Sequence, residues 1–308
     1  MTTVARDPRV AALLPGARAT IERVARSFSL AARLLPRGVR DDVDLLYLAL
    51  RSLDDLVDVE ARRGGAERSA AERRIAAVER WARGDEAVAD ADPELLVFAD
   101  LAARHPLLPR DAVADFLSGM RADLAGPRIA TEEELERYCY QVAGTVGRLM
   151  ASLLGVRTGD EARADAAARA LGIAMQRTNI LRDIDEDLAN GRTYVSDEAL
   201  RAANLLPGSD AGPGSLRDGD RRALLRDQIA RADAAYEQGI AGIGLLRHGQ
   251  RSIAAAAALY REILRQIERD GLGARRPHRP VVGRWRKARL ILRAAISPPS
   301  GGAGPGRG

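Results

Sequence analysis

Two stretches of this chain carry carboxylates one helical turn apart inside otherwise apolar sequence. The first, Asp44 to Asp58, reads DLLYLALRSLDDLVD. Wound as an α-helix at ~100° per residue, it brings Tyr47, Arg51, Asp54 and Asp58 within about 60° of arc. Leu46, Leu48, Leu50, Leu53, Leu56 and Val57 take most of the remaining circumference. A helix that is apolar on nearly every side is normally buried, and a buried carboxylate is costly unless cations compensate it. The stripe is therefore expected to face a polar, internal space. The second stretch, Gln176 to Asp187, reads QRTNILRDIDED. The same winding gathers Gln176, Asn179, Asp183 and Asp187 within about 80°. Ile173, Ile180, Ile184 and Leu188 flank them, while Arg182 and Asp185 are expected to point elsewhere.

Carboxylates at i and i+4 suit hard, oxygen-seeking cations, above all Mg²⁺ shared between carboxylates and substrate phosphate oxygens. Two such stripes facing one another would clamp a metal-bound diphosphate. The metal would neutralise the leaving diphosphate and promote its ionisation. A single Asp-x-x-x-Asp is common on solvated helices of a chain that is 30% charged. Two of them, each in an apolar helix with a polar neighbour one turn earlier, point to a metal site.

The elements that must hold these stripes read as helical nearly throughout. Ala, Leu, Arg and Glu dominate, all good helix formers, and alternating β-branched runs are absent. Helices are expected near 17–34, 40–63, 67–83, 92–104, 109–123, 131–155, 160–189, 217–246 and 249–270, with Thr131-Glu132-Glu133-Glu134 as a capping-box start and Gly191 as a C-cap. The expected organisation is a flexible N-terminus over 1–16 and one all-α catalytic domain over 17–272. A basic segment with an amphipathic helix follows over 273–296, and a disordered tail over 297–308. The Gly/Pro-rich stretch Leu206 to Ser215 is read as a loop within the domain, since no second composition follows it.

The 308 residues carry 48 Lys+Arg against 43 Asp+Glu, and 46% are hydrophobic, the balance of a globular protein. One cysteine, Cys139, excludes an internal disulfide and a cysteine-built zinc site, and reads as a buried thiol. Three scattered histidines suggest no metal cluster. The longest apolar stretch, Ile253 to Tyr260, is far short of the ~20 residues of a membrane span. Arg6, Asp7 and Arg9 leave no room for a signal core, so a cytoplasmic protein is expected. The positive charge is concentrated: Gly273 to Gly308 holds nine Lys/Arg and no acid, leaving the rest slightly acidic. Within it Val281 to Ile296 combines Trp285, Leu290, Ile291 and Leu292 with cations. That pattern suits either an interfacial helix on anionic lipid or a terminal helix packed on the body with a solvated face. Nucleic acid is not expected as a partner, because the body offers no basic recognition surface.

In order along the chain, Ser27-Phe28-Ser29 with Leu34-Leu35-Pro36, Tyr47-x-x-x-Arg51-x-x-Asp54-Asp55-x-x-Asp58, Tyr138-Cys139-Tyr140-x-Val142-Ala143-Gly144-Thr145-Val146-Gly147, Asn179-Ile180-Leu181-Arg182-Asp183-x-x-Glu186-Asp187-x-x-x-Gly191-Arg192-x-Tyr194 and Tyr260-x-x-Ile263-Leu264 resemble the phytoene/squalene synthase family over about residues 20–290. The resemblance implies an all-α, single-domain isoprenoid synthase fold with helices around a central cavity. It implies that Asp54, Asp58, Asp183 and Asp187, with Asn179, hold two or three Mg²⁺ ions on prenyl diphosphates. Arg51, Tyr47, Gln176, Asn179 and Arg182 would support phosphate and metal binding, and Ser27, Phe28, Tyr138, Val142, Gly147, Arg192 and Tyr194 would line the substrate site. The implied reaction joins two farnesyl or geranylgeranyl diphosphates head to head through a cyclopropylcarbinyl diphosphate. Proton loss ends it in a phytoene-type triene, whereas hydride from NADPH would give squalene. No Gly-rich nucleotide loop follows a strand, so NADPH is not expected. The alternatives are a squalene or presqualene diphosphate synthase, a terpene cyclase on the same fold, and a non-catalytic assembly protein, whose relatives tend to lose the aspartates.

Several residues keep two readings at this level. Tyr140 and Tyr260 lean towards plain packing, Tyr47 and Tyr138 towards the pocket or a phosphate. Gly144 and Gly147 either leave room for a prenyl tail or let helices approach. Arg192 belongs to a lid or to solvent, and Arg275 or Arg276 would be the basic-segment arginine nearest the diphosphate. Leu50 stands where the family usually carries a small or sulfur residue before its arginine.

Overall fold

The computed structural model describes residues 4–24, 35–85, 92–126, 128–205, 220–273 and 279–296. Among these the chain is helical. The only extended pairing is an isolated bridge between Val156 and Leu246, as the lack of alternating β-branched runs requires. In chain order the helices are α1 Pro8–Ala11, α2 Leu14–Val24, α3 Arg37–Arg62, α4 Gly65–Ala82, α5 Pro93–Arg104 and α6 Arg110–Leu124. There follow α7 Glu132–Cys139, α8 Thr145–Leu154, α9 Glu161–Ala189, α10 Asp197–Ala202, α11 Arg221–Ala241, α12 Gln250–Arg269 and α13 Arg284–Ile296. Ser27 and Phe28, Arg275 and Arg276, the 206–215 loop and the 297–308 tail lie outside the described residues.

The helices pack in groups, each around its own core. In the first, α3 packs on α2, α4, α5, α6 and α8, and its Leu45, Leu46, Leu53 and Val57 share a core with Ile75, Trp81, Phe98, Leu101 and Leu117. In the second, α9 packs on α11 and α12, around Leu171, Ala174, Leu181, Ile229, Tyr236 and Leu264. A third cluster, with Leu135, Cys139, Ile180, Ile184, Tyr194 and Leu200, ties α7, α9 and α10 together. Helix α8 touches both α3 and α9, so the two aspartate-bearing helices stand on a common support.

The single helix expected over 131–155 is interrupted. Between α7 and α8 a π-helical turn spans Tyr140–Gly144, the kind of local widening often found at functional sites. It accompanies a very close approach of α9. A Cβ at Gly172 would overlap the carbonyl of Ala143, and one at Gly147 would overlap the carbonyl of Ala168. Both glycines therefore serve helix approach. Local signals behave as expected elsewhere. Thr131 and Glu134 form a reciprocal capping box. At the end of α9, Gly191 adopts φ +72°. Its N–H donates to the Leu188 carbonyl at 3.1 Å and the Arg192 N–H to the Asp187 carbonyl at 2.8 Å. This Schellman pattern turns the following residues back over the helix end. The short α10 was not foreseen, although Ser196 caps it through the Ala199 N–H.

A candidate prenyl-diphosphate site

On α9 the polar stripe forms as its spacing dictates. Asn179 Nδ2 donates to Gln176 Oε1 at 3.3 Å, whereas Asn179 Oδ1 is buried without a hydrogen-bond partner. One turn on, Asp183 accepts from Arg182 through both guanidinium edges, Nε at 2.9 Å and Nη2. Arg182 thus turns towards the stripe, contrary to its expected direction, because a carboxylate one residue away offers it a bidentate partner. Asp185 does point elsewhere, 2.6 Å from Arg221. Asp187 is half-buried, and its carboxyl is pushed up to about 6 by desolvation and by Asp183 and Glu186 beside it.

The stripe on α3 is more open than expected. Arg51 donates to Asp54 and to Asp55, both at 2.6 Å, and the Arg51 and Asp54 side chains are 43% and 38% exposed. The apolar side of the helix is buried and Leu50 lies in the core, so the polar stripe faces a mouth and not an enclosed interior. Burial nevertheless raises the Asp54 carboxyl; Asp55, Asp58 and Asp123 add to the rise, and Arg51 opposes it. Tyr47, half-buried one turn earlier, is also raised by burial, with Tyr260 and Asp54 contributing.

Asp123, near the end of α6, connects the two stripes and was missed from the sequence. Its Oδ1 accepts from Tyr138 at 2.7 Å and from Tyr194 at 2.8 Å, and its charge acts on both Asp54 and Asp187. The two tyrosine rings stack at 5.4 Å. Burial, then Asp123, raises the Tyr138 hydroxyl and pushes that of Tyr194 up to about 12. Tyr194 reaches Asp123 because the Schellman turn at Gly191 reverses the chain. The exposed Arg192 is carried to the rim beside Tyr194, Asp123 and Asp187. A second missed residue is Arg279. Its Nε lies 3.1 Å from Asp183 and its Nη1 3.2 Å from Glu186. It was masked in the sequence by a run of similar arginines.

An apolar cavity of about 310 Å³ opens between α8, α9, α11 and α12, at the lower end of the usual size for ligand sites. Val142, Gly147, Met150, Leu171 and Ile253 are among its walls, and Gln176 and Asn179 form its polar end. Tyr260 lines it too while packing against the core of α9, α11 and α12, so both readings of that ring hold. Its register on α12, invisible in one sequence, aims it inward. Tyr140 keeps a structural role, donating to Asp115 at 2.6 Å and accepting from Arg148 at 3.0 Å. Cys139 is fully buried and its thiol is pushed up to about 12. The α9 helix therefore runs from the wall of an apolar chamber to a carboxylate-rich mouth.

The donor set fits divalent magnesium in kind. It consists of hard oxygens, one amide oxygen is orphaned, and two carboxyls are held above their ordinary range by burial and like charge. Among the described residues, no three carboxylates, histidines or cysteines yet converge as a closed chelate. In this arrangement Arg51, Arg182 and Arg279 balance the acids instead.

Known proteins resemble this chain in sequence and in fold. The squalene/phytoene synthase family model matches residues 21–286. The phytoene synthase of Thermus thermophilus is 39% identical over 273 residues, 88% of each chain. The 15-cis-phytoene synthase of Synechococcus elongatus is 36% identical over 278 residues, 86% of each. A crystal structure of a dehydrosqualene synthase in complex with ligand superposes with a TM-score of 0.73 at 25% identity, covering 94% of this chain and 97% of that one.

Proposed function

We propose, from the premise that this chain belongs to the squalene/phytoene synthase family, that it is a prenyltransferase joining two prenyl diphosphates head to head. The product is a phytoene-type hydrocarbon made without NADPH, and geranylgeranyl diphosphate is the first candidate substrate. The fold is the all-α isoprenoid synthase fold. The observation that carries the reading is the continuity of α9, whose Gln176 and Asn179 close an apolar chamber one turn before Asp183 and two before Asp187.

Asp54 and Asp58 on one side, and Asn179, Asp183 and Asp187 on the other, would hold Mg²⁺. When bound, the metal supplies Lewis-acid neutralisation of diphosphate oxygens. The chain's own contribution begins with guanidinium exchange. Arg51, Arg182 and Arg279 release their carboxylates and take phosphate oxygens, for which the planar fork is suited. Arg192 closes from the rim. Breaking the first C–O bond releases one diphosphate and leaves an allylic cation in the chamber. The double bond of the second substrate attacks it, and loss of a proton closes the cyclopropane ring. Breaking the second C–O bond releases the other diphosphate, and rearrangement with a further proton loss gives the triene. Val142, Gly147 and the surrounding aliphatic walls exclude water from these cations. The faces of Tyr47 and Tyr260 supply ring electron density. Asp123 fixes Tyr138 and Tyr194, and Ser27 and Phe28 complete the substrate-binding set.

The catalytic unit on this reading is residues 17–272, with 273–296 as a basic appendage. No helix among the described residues is long and apolar enough to cross a membrane. On α13, however, Trp285 and Leu292 are 90% and 61% exposed beside Arg284, Lys287 and Arg289. We propose that this face rests peripherally on the anionic cytoplasmic leaflet. Sedimentation with phosphatidylglycerol vesicles tests it: a Trp285→Ala, Leu292→Ala variant that still sediments like wild type would refute it.

The activity is tested by incubating purified protein with Mg²⁺ and either farnesyl or geranylgeranyl diphosphate, with and without NADPH. Organic extracts are analysed by mass spectrometry beside an Asp183→Asn control. A C40 product from geranylgeranyl diphosphate, independent of NADPH and absent from the control, is expected. A C30 product would reassign chain length, and a C15 or C20 hydrocarbon would indicate cyclisation or elimination. No product despite binding of both diphosphates would favour an assembly role.

A further inference from the structure

A second apolar groove, of about 510 Å³, lies between the body and α13, and nothing in the reaction uses it. Its walls include Ile240 and Ile243 from the body, Ala254 and Ala258 on α12, and Leu290 and Ile296 on α13, with Arg261 and Arg293 at its edge. It is not a remote feature. Ile243, on the 3₁₀ turn Ile243–Leu245, is a wall of both this groove and the reaction chamber. Around Ile243, chamber residues Met175 and Ile253 pack in the same cluster as groove residues Ala254 and Ala294. One layer of side chains separates the two spaces.

The chemistry of the proposed reaction makes this adjacency consequential. Substrates enter with charged heads, and the mouth that takes them is lined by Asp54, Asp183, Asp187 and arginines. The product carries no charge and is longer than either substrate. An apolar molecule leaving through that mouth would have to desolvate paired charges, which is unfavourable. The groove offers an apolar route instead. Helix α13, its outer wall, is fastened to α12 by Arg286 and Glu262 at 3.1 Å. Its outward side presents Trp285 and Leu292.

We propose that the groove beneath α13 is the exit site for the hydrocarbon product, reached from the chamber by displacement of Ile243 and emptied along α13. This rests on the head-to-head reading, and its occupant is an apolar, uncharged polyisoprenoid chain. Phosphate or diphosphate has no place in it.

Ala258→Phe tests the proposal, because Ala258 lines the groove but not the chamber and the groove has space for the ring. Ala258→Ser serves as the size-conserving control, and Leu290→Phe fills the same space from the other wall. Thermal melting of all three checks folding. Rapid-quench kinetics with geranylgeranyl and farnesyl diphosphate separate the first turnover from the steady state. In the Phe variants the first turnover is expected within about twofold of wild type and the steady-state rate at least fivefold lower, leaving a burst of one product per site. Unchanged steady-state rates overturn the proposal, as do first-turnover and steady-state rates that fall in parallel. If wild type turns over neither diphosphate, the functional reading fails on its own, and titration with the apolar fluorophore diphenylhexatriene decides the groove. Loss of a probe site in both Phe variants, retained in Ala258→Ser, keeps a hydrocarbon site there. Equal binding in all variants removes it.

Discussion

Replacing Gly147 by alanine isolates the contact that builds the chamber wall. Intrinsic propensity alone favours the change, since alanine in a helix interior is better than glycine by ~1 kcal/mol. The tertiary contact opposes it: the new Cβ would overlap the Ala168 carbonyl, which is backbone of α9 and cannot rotate away. Overpacking of this kind costs about 1–3 kcal/mol. A rigid backbone partner places the value near the upper end, so the net loss is about 1–2 kcal/mol. With an unfolding entropy of ~2.1 cal/mol/K per residue, each kcal/mol moves the Tm of a chain this long by about 1.5 °C. Gly147→Ala should therefore lower Tm by about 2–3 °C in scanning calorimetry. Gly38→Ala is the internal comparison. Gly38 also lies in a helix, but a Cβ there meets nothing within 4 Å, so its Tm should hold or rise by up to ~1.5 °C. A Gly147→Ala protein as stable as Gly38→Ala would refute the close approach of α8 and α9. A KM increase in Gly147→Ala should accompany the loss, because α8 must shift and Gly147 lines the chamber.

Other outcomes follow from the same structure. Arg279→Ala should raise KM for the diphosphate substrate about tenfold, with Tm nearly unchanged because the side chain is 56% exposed; a KM equal to wild type in steady-state assays would remove it from the site. Tyr194→Phe deletes one of two hydrogen bonds to Asp123 and should cost about 1.5–3 kcal/mol, the range for a bond to a charged group, read from urea unfolding. Asp42→Ala removes a carboxylate shared by Arg6 at 2.6 Å, Arg104 at 2.7 Å and His105 at 2.9 Å; Arg6 keeps Asp41 and Arg104 keeps Asp100, so the loss should fall at the lower end of the about 3–5 kcal/mol of a broken buried pair. Burial works to raise the Asp42 carboxyl, but His105, Arg104 and Arg6 outweigh it and hold it below its ordinary value. Its stabilisation is therefore complete above the unfolded-state pKa of ~3.9 and is lost as pH falls through the lower folded value. Wild type should lose more stability than Asp42→Ala over that acid range in chemical denaturation.

Each stripe was legible because it is local. Residues at i, i+3 and i+4 share a helix face whatever surrounds them, so Gln176, Asn179, Asp183 and Asp187 could be grouped before any fold was known. The same holds for the capping box at Thr131 and the turn at Gly191, which depend on a few consecutive residues. The ordered motifs were dense enough to point to a family, and with it to an all-α fold.

Whatever depended on distant elements could not be read this way. That the α3 stripe lies at an open mouth follows from which neighbours cover its apolar faces. Asp123 sits in an ordinary amphipathic helix, and only the return of Tyr194 after α9 makes it a junction. Tyr260 faces the chamber and Tyr140 does not, a difference set by helix rotation against partners far along the chain. Arg279 meets Asp183, a pairing hidden in the sequence because one basic residue resembles the next until the backbone path chooses among them. Gly147 looked equally suited to leaving space or to permitting contact until the Ala168 carbonyl was found against it. Sequence by itself determined most of the helical stretches, the two acidic stripes and the chemistry those stripes can carry, since these are set by side-chain type and a fixed helical period. Tertiary structure alone decided which faces meet, which charges balance and where the apolar space lies, since these depend on the packing of residues remote in sequence.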